Sequence, residues 1–345
     1  MTRLEIPRPD DWHLHLRDGA ALRAVLPHTA LRFARAIVMP NLRPPVTTVA
    51  QALEYRGRIL EALPSELAGR FTPLMTLYLT EATAPEEILR ARASGAVHAV
   101  KLYPAGATTH SDAGVRELGR VTPVLEAMRS CGLPLLVHAE VTDPTVDVFD
   151  REAVFLRREL APMLERVPGL RVVVEHVTTA DAVAFVRGAG ADVAATITAH
   201  HLLYSRNAMF AGGLRPHMYC LPVLKRERHR EALLAAAVSG EAKFFLGTDS
   251  APHPRAAKES GCGCAGIYTA HAGIELYAEA FAGAGALDRL AGFACEFGPR
   301  FYGLPVNAER VTLVAEPWSV PASYPIGDGE LEPLRAGGSV GWRLE

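Results

Sequence analysis

Residues 11–19 read DWHLHLRDG. A short run that alternates apolar and polar side chains and ends in a charged turn before an Ala/Leu-rich stretch predicts a strand leading into a helix. Along a strand, residues i and i+2 point to the same side. His13 and His15 therefore share one face, with Leu14 and Leu16 on the other, and their Cα atoms lie roughly 6–7 Å apart. Arg17 sits one step further along the histidine face.

The pattern recurs outward from this stretch. ARAIVMPN (34–41), FTPLMTLYLT (71–80), HAVKLYPA (98–105), PLLVHAE (134–140), RVVVEHV (171–177), DVAATITAHHL (192–202) and KFFLGTDSAPH (243–253) are all β-rich. Between them lie stretches with helical spacing, among them TVAQALEYRGRILEAL (48–63), VTPVLEAMRSCG (121–132) and TADAVAFVRGAG (179–190). Several begin with Thr or Pro and end in Gly, as helices do. Eight strands, nearly all followed by a helix, imply a parallel sheet, and eight is the number that closes a (β/α)8 TIM barrel of the α/β class. A doubly wound open sheet is the alternative, but no GxGxxG follows a strand. Residues beyond about 255 are richer in helix-like and then turn-forming sequence, and read as a C-terminal extension of a single domain spanning 1–345.

The chain has 345 residues, 49% hydrophobic and 21% charged, enough for a sizeable core. A net charge of −2 argues against nucleic acid or an anionic membrane as partner. No apolar run approaches the roughly 20 residues of a membrane span, and no secretory h-region opens the chain. The five cysteines (131, 220, 262, 264, 295) are odd in number and scattered, which fits a reducing, cytoplasmic compartment. The close pair in GCGCAG reads as a turn.

Polar residues gather where the β-rich runs end: His13, His15 and Arg17, then Asn41, Lys101, His138, His176, His200 or His201, and Asp249 with His253. In a barrel those ends form one catalytic face. Two imidazoles on the lumen side of one strand can bind a single metal, and Arg17 at the mouth can bind an anion. Lys101, one of only four lysines, lies in an apolar run where a bare ammonium is costly to bury. It either pairs with a carboxylate or has a lowered pKa. A neutral amine can add carbon dioxide, and the resulting carbamate is a bidentate anion able to bridge two metals. His138 and His176 suit the second metal. Asp249 suits a metal and proton transfer, and His253 suits substrate.

These residues resemble the amidohydrolase superfamily. RPDDWHLHLRDG, AIVMPNLRPPVTT, KLYPAGATT, PLLVHAEVT, FDREAVF, VVVEHVTT, GGLRPHMYCLPVLK, FLGTDSAPH, KESGCGCAG and FYGLP resemble, over almost the whole chain, the bacterial homodimeric class of the dihydroorotases. The resemblance implies a homodimer acting on a small molecule with two Zn2+ per chain. His13, His15, carboxylated Lys101 and Asp249 would hold one zinc, and Lys101, His138 and His176 the other, with a bridging hydroxide. Arg17, Asn41 and His253 would bind the substrate carboxylate, and backbone groups of Leu221 and Ala265 its ring. Thr108 and Thr109 would belong to a lid. The implied reaction is reversible cyclisation of N-carbamoyl-L-aspartate to L-dihydroorotate in pyrimidine biosynthesis, with Asp249 as general acid and base. Ala139 stands where the class has glycine, TAHHL replaces a TPQHL-like stretch and PAGATT a PANATT-like one; none removes a ligand, though they bear on the lid. His200 and His201 gain no role and read as structural. The alternatives are a hydantoinase- or allantoinase-like enzyme, and a metal-free scaffold serving a partner such as aspartate transcarbamoylase.

Overall fold

Eight short strands dominated by Val, Ile, Leu and Ala pair in parallel, in the order in which the chain makes them. They are β1 (Asp10–Leu14), β2 (Arg35–Val38), β3 (Thr72–Tyr78), β4 (Val97–Leu102), β5 (Leu135–Val137), β6 (Val172–Val174), β7 (Val193–Ile197) and β8 (Phe244–Leu246). Each coincides with one of the eight β-rich runs, β1 and β4 starting one residue before theirs. The computed structural model describes residues 2–345. Parallel neighbours need a crossover between them, and helices such as Gly19–Arg32, Val49–Glu61, Pro85–Ala93, Thr122–Cys131 and Ala180–Gly188 supply it. Thr48 and Thr179 cap two of these helices, as their sequence positions predict. The architecture is a (β/α)8 barrel. No helix among the described residues is long and apolar enough to cross a membrane.

The ring closes between its first and last strands. Asp249 N donates to His13 O at 2.9 Å and His15 N to Ser250 O at 3.2 Å. Asp11 holds this seam: its carboxylate accepts from His13 N (3.1 Å), Thr248 N (2.9 Å) and Thr248 Oγ1 (2.6 Å). Burial pushes the Asp11 carboxyl up to about 6 despite these donors. Asp11→Ala would strand two buried N–H groups. We expect it to cost about 3 kcal/mol and lower Tm by about 3–6 °C. A thermal midpoint within a degree of wild type would show that the seam does not depend on this carboxylate.

Inside the ring, Trp12, Ile37, Leu74, Ala99, Leu136, Val173, Ala194 and Phe245 pack into a floor beneath the polar strand ends. Plain alternation would send Trp12 and His13 to opposite faces. A register shift between Asp11 and Leu14 breaks the alternation, so both reach the interior. The helix Phe297–Tyr302 seals the floor from below, with Tyr302 stacked on Trp12 at a centroid distance of 4.4 Å. Gly298 lies against the indole, where a Cβ would sit 1.9 Å from Nε1, so only glycine allows this approach. Leu14 and Leu16 pack outward, in the layer between strands and helices.

The tail differs in part from its sequence reading. After the helices come short strands, and Arg310–Val314 lies between Arg3–Pro7 and Arg343–Leu344 in a three-stranded antiparallel sheet beside the barrel. The beginning and end of the described chain therefore meet in one sheet.

Candidate metal centre

The seam sets the first donors. His13 Nε2 and His15 Nε2 lie 3.2 and 3.1 Å from Asp249 Oδ1, and 3.4 Å from each other. Three ligands about 2.0–2.1 Å from a tetrahedral zinc stand about 3.3 Å apart. The triangle therefore has the size of a metal site. A ligand histidine must be neutral. Burial holds His13 below its ordinary range and His15 down at about 3, so both are neutral near pH 7. Burial opposes ionisation of Asp249, but His13 and His15 outweigh it and hold its carboxyl well below the usual range.

His138 and His176 extend the group. The His13 and His138 rings each lie 4.9 Å from that of His176. Burial holds both His138 and His176 below their ordinary range. His176 Nδ1 is buried and has no hydrogen-bond partner, a donor atom with nothing to bind. Lys101 is fully buried at the end of β4, and burial holds its ammonium well below the usual lysine range. Its Nζ contacts Glu175 Oε2. Both readings open for this lysine, contact with a carboxylate and a lowered pKa, hold in this arrangement.

Backbone strain aims several of these side chains. Arg17, His110, His176 and Asp249 have φ between 41° and 60°, leaving Arg335 as the remaining described non-glycine residue with positive φ. Such conformations are costly for residues with a Cβ and cluster at functional sites. At the end of β6 the turn at His176 lets Glu175 and His176, adjacent in sequence, both face the centre.

Above the donors is a small cavity of about 20 Å3 lined by Arg17, Asn41, Tyr103, Thr108, Thr109, Leu221 and Ala265 along with the histidines and Asp249. Arg17 is deeply placed, has no carboxylate partner among the described residues, and leaves Nη1 unbonded. Its Nη2 lies 3.0 Å from His253 Nε2, which is also 3.0 Å from Ala265 O. One ring nitrogen cannot accept from a guanidinium and donate to a carbonyl together, so this contact is frustrated. Asn41 Oδ1 takes His15 Nδ1 at 2.9 Å, and its Nδ2 donates to Thr109 O at 3.1 Å. Thr109 Oγ1 donates to Ala265 O at 3.3 Å, laying the 108–109 loop across the mouth. A wider groove of about 640 Å3, lined by Arg116, Asp143 and Glu159 among others, opens beside this loop but holds no converging donor set among the described residues.

Three residues of the site were not expected from the sequence. Glu175 contacts Lys101, Glu140 Oε2 pairs with His138 Nε2 at 2.8 Å, and the Tyr103 ring lies 4.9 Å from Lys101 Nζ. A glutamate directly after three valines, in VVVEHV, is the one signal that pointed to Glu175. His201 is tied to Thr198 Oγ1 (2.8 Å) and Pro222 O (3.1 Å), and His200 packs beside it, buried, with neither ring nitrogen bonded.

Residues 10–314 match the amidohydrolase family. The chain is 67% identical over 345 residues, covering all of both chains, to the dihydroorotase of Azoarcus sp. (strain BH72). Its fold is similar to that of dihydroorotase in complex with 5-fluoroorotic acid from Saccharomyces cerevisiae, with a TM-score of 0.91, 33% identity, and coverage of 100% of this chain and 99% of that one. The L-hydantoinase (dihydropyrimidinase) from Arthrobacter aurescens shares the fold at a TM-score of 0.80 but only 18% identity, over 99% of this chain and 82% of that one.

Proposed function

Since the chain belongs to the amidohydrolase family and, within it, to the dihydroorotases, we propose the roles of its residues from that premise. The reaction is the reversible ring opening of L-dihydroorotate to N-carbamoyl-L-aspartate. His13, His15, Asp249 and carboxylated Lys101 hold one Zn2+, and Lys101, His138 and His176 hold a second. The 3.1–3.4 Å triangle of donors and the orphaned His176 Nδ1 suit this loading. When bound, zinc supplies Lewis acidity toward the ring carbonyl and makes water more acidic.

The protein's own groups do the rest. Arg17 and His253 take the substrate carboxylate between them. An anion accepting from Arg17 resolves the frustrated contact and leaves His253 Nε2 to donate. Asn41 fixes the His15 tautomer and ties it to the lid. Backbone groups of Leu221 and Ala265 align the ring, and Thr108 and Thr109 exclude water from above. Asp249, ionised and beside the attacking water, takes its proton and returns it to the leaving ring nitrogen. Opening creates a carboxylate and releases a proton near neutral pH, so high pH favours opening and low pH closure.

The observation that carries this reading is the half-buried Arg17 above the donor triangle, which has no carboxylate partner among the described residues and a buried, unbonded Nη1. It favours an anionic substrate over the neutral rings of a hydantoinase. All six donor positions are filled, which disfavours a metal-free scaffold. The test follows ultraviolet loss of dihydroorotate and metal per chain together. We expect turnover with about two zincs, and at least about 100-fold lower kcat/KM for dihydrouracil, which lacks the carboxylate. Equal turnover of both substrates would reject the carboxylate pocket. The same resemblance extends the proposal to a cytoplasmic homodimer, for which light scattering should give twice the chain mass.

A further inference from the structure

Lys258 lies outside the reacting centre, in KESGCGCAG, yet it is almost fully buried, at 3% exposure. Its Nζ donates to three backbone carbonyl oxygens: Tyr219 at 2.7 Å, Cys264 at 2.8 Å and Gly266 at 2.8 Å. An ammonium has three protons, and all three are used. No carboxylate reaches ion-pair distance of it among the described residues. A buried cation compensated by carbonyl dipoles alone is an expensive arrangement.

The three acceptors belong to two loops. Residues 219–221 end at Leu221, and residues 264–266 contain Ala265. Gly266 N also donates to Tyr219 O at 3.0 Å, so the loops share one further link. Their far side is fixed: a Cβ on Gly266 would lie 2.7 Å from Ala251 Cβ and 2.9 Å from His253 Cδ2. The loops are therefore pressed against the 251–253 segment on one side and gathered by Lys258 on the other. Ala265 O, at the centre, receives Thr109 of the lid and faces His253.

We propose that Lys258 is a positioning residue for substrate: its three carbonyl contacts set the spacing between the backbone edges at Leu221 and Ala265. The proposal rests on the assignment of Leu221 and Ala265 to the substrate ring. Lys258 touches neither the reacting atoms nor a metal-donor residue. It acts on binding through the two loops, and secondarily on the seating of the lid.

The charge of Lys258 offers a readout that a purely structural residue lacks. Burial brings its ammonium down to about 8. The titratable groups around it are Cys220 and Tyr219 on one loop, Cys264 on the other, and His253 across the pocket. Burial pushes the Cys220 thiol up to about 12 and raises Cys264 and Tyr219, while His253 is held down at about 2. Around pH 8 Lys258 is thus the member of this set that changes charge. Losing its proton removes one of the three donors and loosens the loops.

The experiment measures KM and kcat for dihydroorotate with zinc-loaded wild type and Lys258→Met, from pH 7 to 9.5, with metal content determined on both. We expect Lys258→Met to raise KM at least about 10-fold at pH 7, to change kcat less than about 3-fold, and to retain its metal. Wild-type KM should climb above pH 8, while that of the variant stays high and flat. An unchanged KM in the variant overturns the proposal, as does a fall in kcat as large as that in kcat/KM. If Lys258→Met fails to fold, the wild-type profile decides alone, and a flat KM across pH 8 overturns the proposal. Failure of wild type to turn over dihydroorotate at all would instead sink the substrate reading on which the proposal rests.

Discussion

Lys101→Ala is expected to lower kcat at least about 1000-fold and to leave the purified protein short of metal. Lys101 is fully buried and its Nζ meets Glu175. Removing it leaves the Glu175 carboxylate buried without its counter-charge, and removes the ligand proposed to be shared by both metals. The two effects separate experimentally. Carbamate formation would turn Lys101 from the counter-ion of Glu175 into a second anion beside it, a pair that only cations can hold together. Short carboxylic acids supplied to Lys101→Ala should therefore restore metal and part of the activity together. Full activity in the variant without any added acid would exclude the carbamate. Recovery of folding by Lys101→Met without recovery of metal would fit the ligand role, because methionine refills the volume but brings no anion.

Arg17→Met should raise KM for dihydroorotate about 100-fold with metal content unchanged. Two charge-assisted hydrogen bonds at about 1.5 kcal/mol each amount to that factor. Arg17→Lys should recover only part of it, staying about 10-fold above wild type, because an ammonium lacks the planar fork. The Arg17 main chain adds to the argument. It sits at φ 60°, and its carbonyl accepts from Tyr55 at 2.5 Å, so the side chain is delivered to the mouth by a strained and anchored backbone. Burial lowers its guanidinium from the ordinary arginine value, with no acid paired to it. KM and kcat both unchanged in Arg17→Lys would place the substrate carboxylate elsewhere.

Most of the barrel was legible because it repeats. Eight runs of β-formers with polar ends leave few other folds, and the parallel order follows from the helices between them. The donors were legible for the same reason, since strand ends in a barrel converge. Other features depend on exceptions to periodicity. The register shift after Asp11 sends Trp12 and His13 inward together, and the left-handed turn at His176 does the same for Glu175 and His176. Neither conformation has a residue-type signature, so Glu175 and the seam role of Asp11 stayed hidden. Glu140 was hidden differently: it matters only through His138, which its own stretch of sequence does not reveal. The antiparallel strands are short: 310–314 finds one partner near residue 5 and the other at 343–344, pairings that no local pattern encodes.

The position of the seam has a consequence for the life of the molecule. His13 and His15 leave the ribosome more than two hundred residues before Asp249. The triangle of donors exists only once these two ends of the ring have been stitched together. A nascent chain carrying the first seven strands has no completed donor triangle to offer the proposed metal. On the proposed assignment, loading would be a late event that tells a finished barrel from an unfinished one, and a bound metal would clasp the joint that made the site, drawing the equilibrium toward closed rings.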